Sequence, residues 1–267
     1  MDSANQAVWY SFEITTRRWP QTICSVEHPQ FNGRRLFFIA DVPHLIQSLK
    51  SAFCRYDITT PDGRHSSAKH LKALIAHDES RDLKLAPNLK SNDIDSTYSQ
   101  KIKASSALHV FSNMFGSSIE FMDRTGLLSA EGQKSALDTA WLNKTINRWF
   151  DLMSSRSFVQ ALSKFDVEKY NKSVSFLRSI ITLSQTMQFG QGNWKPVQTG
   201  VILAINAILE LAKEVLSNKL PFLLTSKLTQ DCLENLFLTV RLKTATPSIC
   251  EFWVGSESCA NQLQRVF

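Results

Sequence analysis

The sequence predicts a mainly α-helical protein with a small α/β part, in which an all-helical domain interrupts a mixed one. Three observations carry this reading. The run Leu36-Phe-Phe-Ile-Ala40 is short, continuous and apolar, as a buried central strand requires. Pro43 follows at the first turn of a helix with Asp41 or Val42 at its cap, and Leu45, Ile46, Leu49 and Phe53 fall at helical spacing. From about residue 66 to 217, by contrast, the apolar pattern is helical almost throughout.

Taken in order, the chain divides into a mixed segment over 1–60, a helical insertion over 61–217 and a C-terminal helical segment over 218–267. The spacing predicts insertion helices over 67–77, 97–124, 130–154, 167–188 and 197–216. Their breaks carry turn residues: Pro61-Asp62-Gly63, Ala86-Pro87-Asn88, Gly126 and Gly190-Gln191-Gly192. Leu137, Trp141, Ile146 and Trp149 mostly share one face of the third helix. Beyond Leu220-Pro-Phe-Leu-Leu224 a helix is expected over 230–242, and another starting at Thr246-Pro247. The sequence has neither a repeat of fixed period nor a low-complexity tract.

Composition narrows the function classes. A chain of 267 residues, 43% hydrophobic and 20% charged, can bury a substantial core and is ordinary for one or two globular domains. The longest apolar stretch, 201–216, is interrupted by Glu210, Lys213 and Glu214, whereas a membrane span needs about 20 apolar residues. No membrane association is expected. The N-terminal residues lack an early basic region followed by an apolar core, so an intracellular location is expected. Cys24, Cys54, Cys232, Cys250 and Cys259 form no C-x-x-C pair, which supports neither a zinc site nor a disulfide framework; Cys232 reads as core. The net charge of +6 permits contact with a polyanion. The basic residues are nevertheless dispersed, as on a solvated surface with a mild positive bias.

Several nucleotide-site and hydrolase patterns are near misses. Gly126-Leu-Leu-Ser-Ala-Glu-Gly132-Gln-Lys134 lacks the adjacent Gly-Lys that brings backbone amides and a lysine onto one phosphate chain. Asn143-Lys144-Thr145-Ile146 lacks the aspartate that reads guanine in small GTPases, and neither G-x-S-x-G nor H-E-x-x-H occurs. Two segments remain. In Thr225-Ser-Lys-Leu-Thr-Gln-Asp231-Cys-Leu-Glu234, helical spacing puts Asp231 and Glu234 on one side, where two carboxylates suit a hard divalent cation. Asp231 as a charge at the helix N-terminus and Glu234 as a solvated residue account for the same spacing. In Arg148-Trp-Phe150-Asp151-Leu-Met-Ser154-Ser-Arg156, an aromatic beside an acid could stack on a base and accept from its edge, although taken alone an aromatic at the end of an amphipathic helix is core far more often than a ligand site.

Together these segments resemble the P element-type transposases, the group that includes the THAP-domain transposase-like proteins. LTSKLTQDCLENLF resembles the C-terminal catalytic helix of that family, and IADVPHLIQSLKSAF the strand and helix before its inserted domain. LKLAPNLK, ALHVFS, TGLLSAEG and FDLMSSR resemble successive landmarks of the inserted domain. The order holds over essentially the whole chain.

The resemblance implies a partial RNase H-like fold interrupted by an all-helical GTP-binding insertion domain. It implies DNA cutting and strand transfer by three carboxylates around two divalent metals, usually magnesium, about 4 Å apart. Glu234 matches the third carboxylate and thereby a metal ligand, and His44 a supporting, positioning histidine. The second carboxylate stands in a D-x-G-S-x-N-Q-like motif. Aligning Ser3-Ala4-Asn5-Gln6 puts Met1 just after that aspartate, while a one-residue slip makes Asp2 the catalytic and metal-binding residue. The first carboxylate finds no match.

For the nucleotide, Phe150 and Asp151 match positions that stack on guanine and hydrogen-bond to it, and Asp231 matches a further acid of that site. Ser154 stands where the family has asparagine, so the amide's paired donor and acceptor are lost. Lys90, Lys101 and Lys103 are all candidates for the phosphate-binding lysine.

The expectation is a fragment or domesticated remnant of such a transposase, unable to cut or join DNA alone. Its implied cofactors are Mg2+ and GTP, its partner is transposon-end DNA, and its location is nuclear. A nucleotide- or nucleic-acid-binding or protein-interaction module derived from a transposase is the alternative. Unpaired edges around 36–40 predict self-association, or a partner that supplies the missing RNase H strands.

Overall fold

The computed structural model describes residues 9, 11–14, 22–94, 104–128, 130–192, 194–218, 220–231, 234–235 and 237–239. Strand β1 (Ser25–Glu27) pairs antiparallel with β2 (Arg35–Phe37), with Val26 opposite Leu36. The apolar run thus enters a hairpin, and among the described residues β1 is its one partner strand, where a central strand was expected. Pairing ends at Phe37, although the Phe38 amide still donates to the Cys24 carbonyl at 2.8 Å. Its buried residues, Phe38 and Ala40, alternate. Phe38 packs with Ile14, Cys24, Leu203 and Ala207 in a small satellite cluster.

Helix α1 (Val42–Phe53) starts where the sequence places it. Asp41 is the cap, its carboxylate accepting from the His44 amide at 3.1 Å, and Pro43 occupies the first turn, where no amide is needed. The helix buries Val42, Leu45, Ile46, Leu49 and Phe53.

Seven further helices follow in the described residues: α2 (Lys69–Glu79), α3 (Ser91–Ile94), α4 (Ala104–Val110), α5 (Asn113–Arg124), α6 (Ala130–Met153), α7 (Val167–Thr186) and α8 (Pro196–Asn218). The helix expected over 97–124 is broken: Ser112 is extended and caps α5 by accepting from the Phe115 amide at 3.1 Å. Apolar spacing continues across that break, which hid it from the sequence pattern. Asp166 caps α7 in the same way through the Lys169 amide.

Two-residue strands tie distant parts of the helical region together. β3 (Ile58–Thr59) pairs with both β4 (His65–Ser66) and β6 (Gln188–Phe189), and β5 (Leu162–Ser163) pairs with β7 (Phe222–Leu223). One contiguous apolar core runs from Ala40 and α1 through α2, α5 and α6 to α8 and Leu223. Its axis is α8, which buries Val201, Ala204, Ile205, Ile208 and Ala212. Gly200 lets α1 come close: a Cβ there would lie 2.4 Å from a Leu45 methyl. Among the described residues no helix is long and apolar enough to cross a membrane.

Candidate functional site

The last turns of α6 hold the aromatic–acid segment. Trp149 and Met153 are fully buried, so they anchor the helix end, and Phe150 and Asp151 lie half-buried at the rim. One Asp151 oxygen accepts from the Asn147 side-chain amide at 2.8 Å. Burial pushes the Asp151 carboxyl above its ordinary range, and the Asn147 bond opposes that shift. The Ser154 hydroxyl donates to the Phe150 carbonyl at 2.7 Å, one turn back, so it serves its own helix.

A buried lock joins this helix end to the chain 70 residues later. The Ser155 amide donates to the Thr225 hydroxyl at 2.8 Å, and the Thr225 amide to the Ser155 hydroxyl at 3.2 Å. The Thr225 hydroxyl donates to the Leu152 carbonyl at 2.8 Å, which leaves Ser155 as donor in the 3.0 Å hydroxyl–hydroxyl contact. The Ser226 amide adds a bond to the Ser155 carbonyl. Ser155 and Thr225 are both fully buried, and every polar atom named finds a partner. The 3-10 helix Thr225–Leu228 is thereby fixed to α6, and the Arg156 guanidinium reaches Asp231 at 3.0 Å.

A second junction lies at the start of α1. Asp41 uses one carboxylate oxygen for the His44 amide and the other for the Gln230 amide, at 2.8 Å, across 189 residues. Asp231, Glu234, Asn235 and 237–239 are helical, and the Glu234 amide donates to the Gln230 carbonyl at 2.9 Å. His44 Nε2 sits 3.9 Å from Asp41 Oδ2 and 4.0 Å from Glu234 Oε1. The Glu234 side chain is 65% exposed and that of Asp41 only 7%.

The structure therefore brings His44 to Glu234, and Asp231 to Arg156 just past the end of α6. Asp231 and Glu234 engage different neighbours, Arg156 and His44. Asp2, Lys101, Lys103 and Cys232 lie outside the described residues, as does everything beyond Thr239. Lys90 lines an open cleft of about 310 Å³ with Asp78, Glu79 and Lys84.

Sequence reasoning passed over Ser155, Thr225, Asn147 and Arg156. It also passed over the second bond of Asp41, since nothing local signals a partner 189 residues away. Asn147, four residues before Asp151, is the one signal that helical spacing offered.

By residue type, Phe150 is a partly buried aromatic ring packed against the core, and Asp151 and Asp231 are carboxylates that can accept from N–H donors. A pair of divalent metals is not fitted by what is described. Among the described residues no group of three His, Cys, Asp or Glu side chains is placed to hold a metal ion. Asp41, the acid nearest Glu234 through His44, already has both oxygens engaged by amides.

Comparison with known proteins bears on the same region. The family described as TNP-like, GTP-binding insertion domain matches residues 43–166. The Transposable element P transposase of Drosophila melanogaster is 25% identical over 247 residues, which is 90% of this chain and 31% of that protein. The human DNA transposase THAP9 is 24% identical over 238 residues, 84% of this chain and 26% of that protein. The solved Drosophila P element transposase strand transfer complex shares the fold, with a TM-score of 0.78 at 23% identity over 96% of this chain and 57% of that one. The chain spans less than a third of the length of these two curated relatives. The chain is thus similar in sequence and in fold to the P element-type transposases, and its residues 43–166 match the TNP-like GTP-binding insertion domain.

Proposed function

We propose that the chain is part of a P element-type DNA transposase: a helical GTP-binding insertion domain joined to flanking segments of an RNase H-like catalytic domain. One observation carries the proposal. The Ser155–Thr225 lock and the Arg156–Asp231 bond tie the end of α6 to the segment that leads into the helix of Glu234, which supports reading the two as parts of one functional unit. In this reading 1–60 and 218–267 flank the insertion over 61–217. Phe150 stacks on the base, and Asp151 and Asp231 accept from its edge. Ser154 contributes less than an asparagine would, because its hydroxyl donates to the Phe150 carbonyl. One lost hydrogen bond is worth about 1 kcal/mol, somewhat under tenfold in affinity.

The family reading assigns DNA cutting and strand transfer to three carboxylates with magnesium. Glu234 is one, Asp2 enters only in the slipped register, and the first carboxylate is matched by no residue of this sequence. We therefore propose that the 267-residue polypeptide does not cut transposon-end DNA by itself. The remaining carboxylates would have to come from outside these 267 residues, and the nucleus is the place where DNA is available to it.

The test has two arms. Calorimetry with GTP should give binding to the wild type that Asp151→Ala abolishes; no heat at millimolar nucleotide would count against the nucleotide site. Incubation with transposon-end DNA and magnesium or manganese should yield no cleavage, and Glu234-dependent cleavage would refute the incompleteness.

A further inference from the structure

We infer that Asp41 is a positioning residue for Glu234, holding together the two segments that flank the helical insertion. The inference takes the importance of Glu234 from the transposase reading; the placement itself rests on five contacts. Asp41 Oδ2 accepts from the His44 amide at the start of α1, and Asp41 Oδ1 accepts from the Gln230 amide where the helix of Glu234 begins. His44 Nε2 stands 3.9 Å from Asp41 and 4.0 Å from Glu234. The Glu234 amide in turn donates to the Gln230 carbonyl.

One nearly buried carboxylate thus serves the first turns of two helices that are 189 residues apart in sequence. Both helix starts favour an anion, and both amides lack an intrahelical partner. Aspartate is the side chain that satisfies this arrangement. Asparagine has one acceptor oxygen and would turn its NH2 group against the second amide. Serine caps α1 well but reaches a single amide, and glutamate is not a favoured N-cap. Cutting the Asp41–Gln230 bond leaves α1 intact and frees the turn that sets the direction of Glu234 relative to His44.

Two substitutions sever the bond from opposite ends. Asp41→Ser keeps the α1 cap and removes the acceptor for Gln230. Gln230→Pro removes the donor, and the preceding Thr229, at φ −89° and ψ 166°, already has the backbone that a residue before proline prefers. Each variant of the full chain, and the double variant, would be followed by amide exchange and by the NMR contact between the His44 ring and the Glu234 side chain. Exchange at Glu234 should quicken roughly tenfold in each, as expected when one charge-assisted bond is lost, with no further gain in the double variant. The His44–Glu234 contact should disappear, while exchange within α1 stays as in the wild type. A persisting contact in either variant, additive effects, or loosening of α1 in Asp41→Ser would overturn the inference. Neither nucleotide nor DNA enters the measurement, so its failure is distinct from failure of the transposase reading.

Discussion

Asp151 holds its proton to a higher pH in the folded chain than a free carboxyl does, because its burial outweighs the Asn147 bond. Between the ordinary carboxylate value, about 3.9, and the raised one the native state binds more protons than the unfolded state. Stability contributed by this group therefore falls as pH rises through that window. Ligand binding has the opposite sign. A guanine edge that donates needs the ionised acid, so GTP affinity should rise with pH through the raised value and level off above it. Calorimetry over a pH series starting near the ordinary carboxylate value measures this, and Asn147→Ala, which removes the opposing bond, should move the midpoint upward. A pH-independent affinity would remove Asp151 from the recognition step. Phe150 and Asp151 stood out in the sequence because an aromatic next to an acid at a helix end is a local feature. Glu234 stood out by its helical spacing from Asp231 as well as through the resemblance, whereas His44 stood out through the resemblance alone, since a histidine in a helix's first turn looks like ordinary surface. Arg156 closed its segment with no assigned role, because its partner Asp231 lies 75 residues away.

Among the elements, helices read well where cap and period agree. α6 and α7 begin at the residues expected and end within two residues of their expected ends. The pattern failed over 97–124, where Ser112 starts a new helix without interrupting the apolar spacing. Two-residue strands were illegible for a physical reason: a period of two cannot be counted over two residues, and Ile58 meets Phe189 across 131 positions (189 − 58). The lock between α6 and the 3-10 helix belongs to the same class of long-range feature. Thr225→Val keeps the shape but removes the acceptor of the buried Ser155 amide and hydroxyl proton and the hydroxyl donor to the Leu152 carbonyl, while the Thr225-position amide still reaches the Ser155 hydroxyl. The expected loss is about 1–3 kcal/mol, or roughly 2–4 °C in Tm per kcal/mol for a chain of this size. Thr225→Ser, which keeps the hydroxyl, should lose far less. If the lock also aligns Asp231, GTP affinity should fall in the valine variant and recover in the serine one. Equal melting of the two variants would show that the hydroxyl contributes nothing there.

At the scale of the whole molecule, the described core is continuous from Ala40 to Leu223, through residues of all three segments. α1, from the first segment, lies directly on α8, from the insertion, at the point where Gly200 removes a side chain from the interface. This predicts one cooperative unfolding transition rather than separate melting of insertion and flanks. Gly200→Ala tests the seam itself. Alanine in a helix gains about 1 kcal/mol over glycine, but its Cβ would sit 2.4 Å from a methyl of Leu45, a distance that forces movement. Leu45 is buried among Val42, Ile46 and Leu49, so the strain of overpacking, about 1–3 kcal/mol, outweighs the helical gain. Gly116 makes a useful contrast. There an added Cβ meets the flexible Lys144 side chain at 2.9 Å and the Ala140 carbonyl at 3.1 Å, so propensity and crowding come close to cancelling. Calorimetric melting should show Gly200→Ala lowering Tm by a few degrees in a single transition, with Gly116→Ala near the wild type. Two resolved transitions in Gly200→Ala would mean that α1 and the helical region fold as separate units, joined at this seam by little more than proximity.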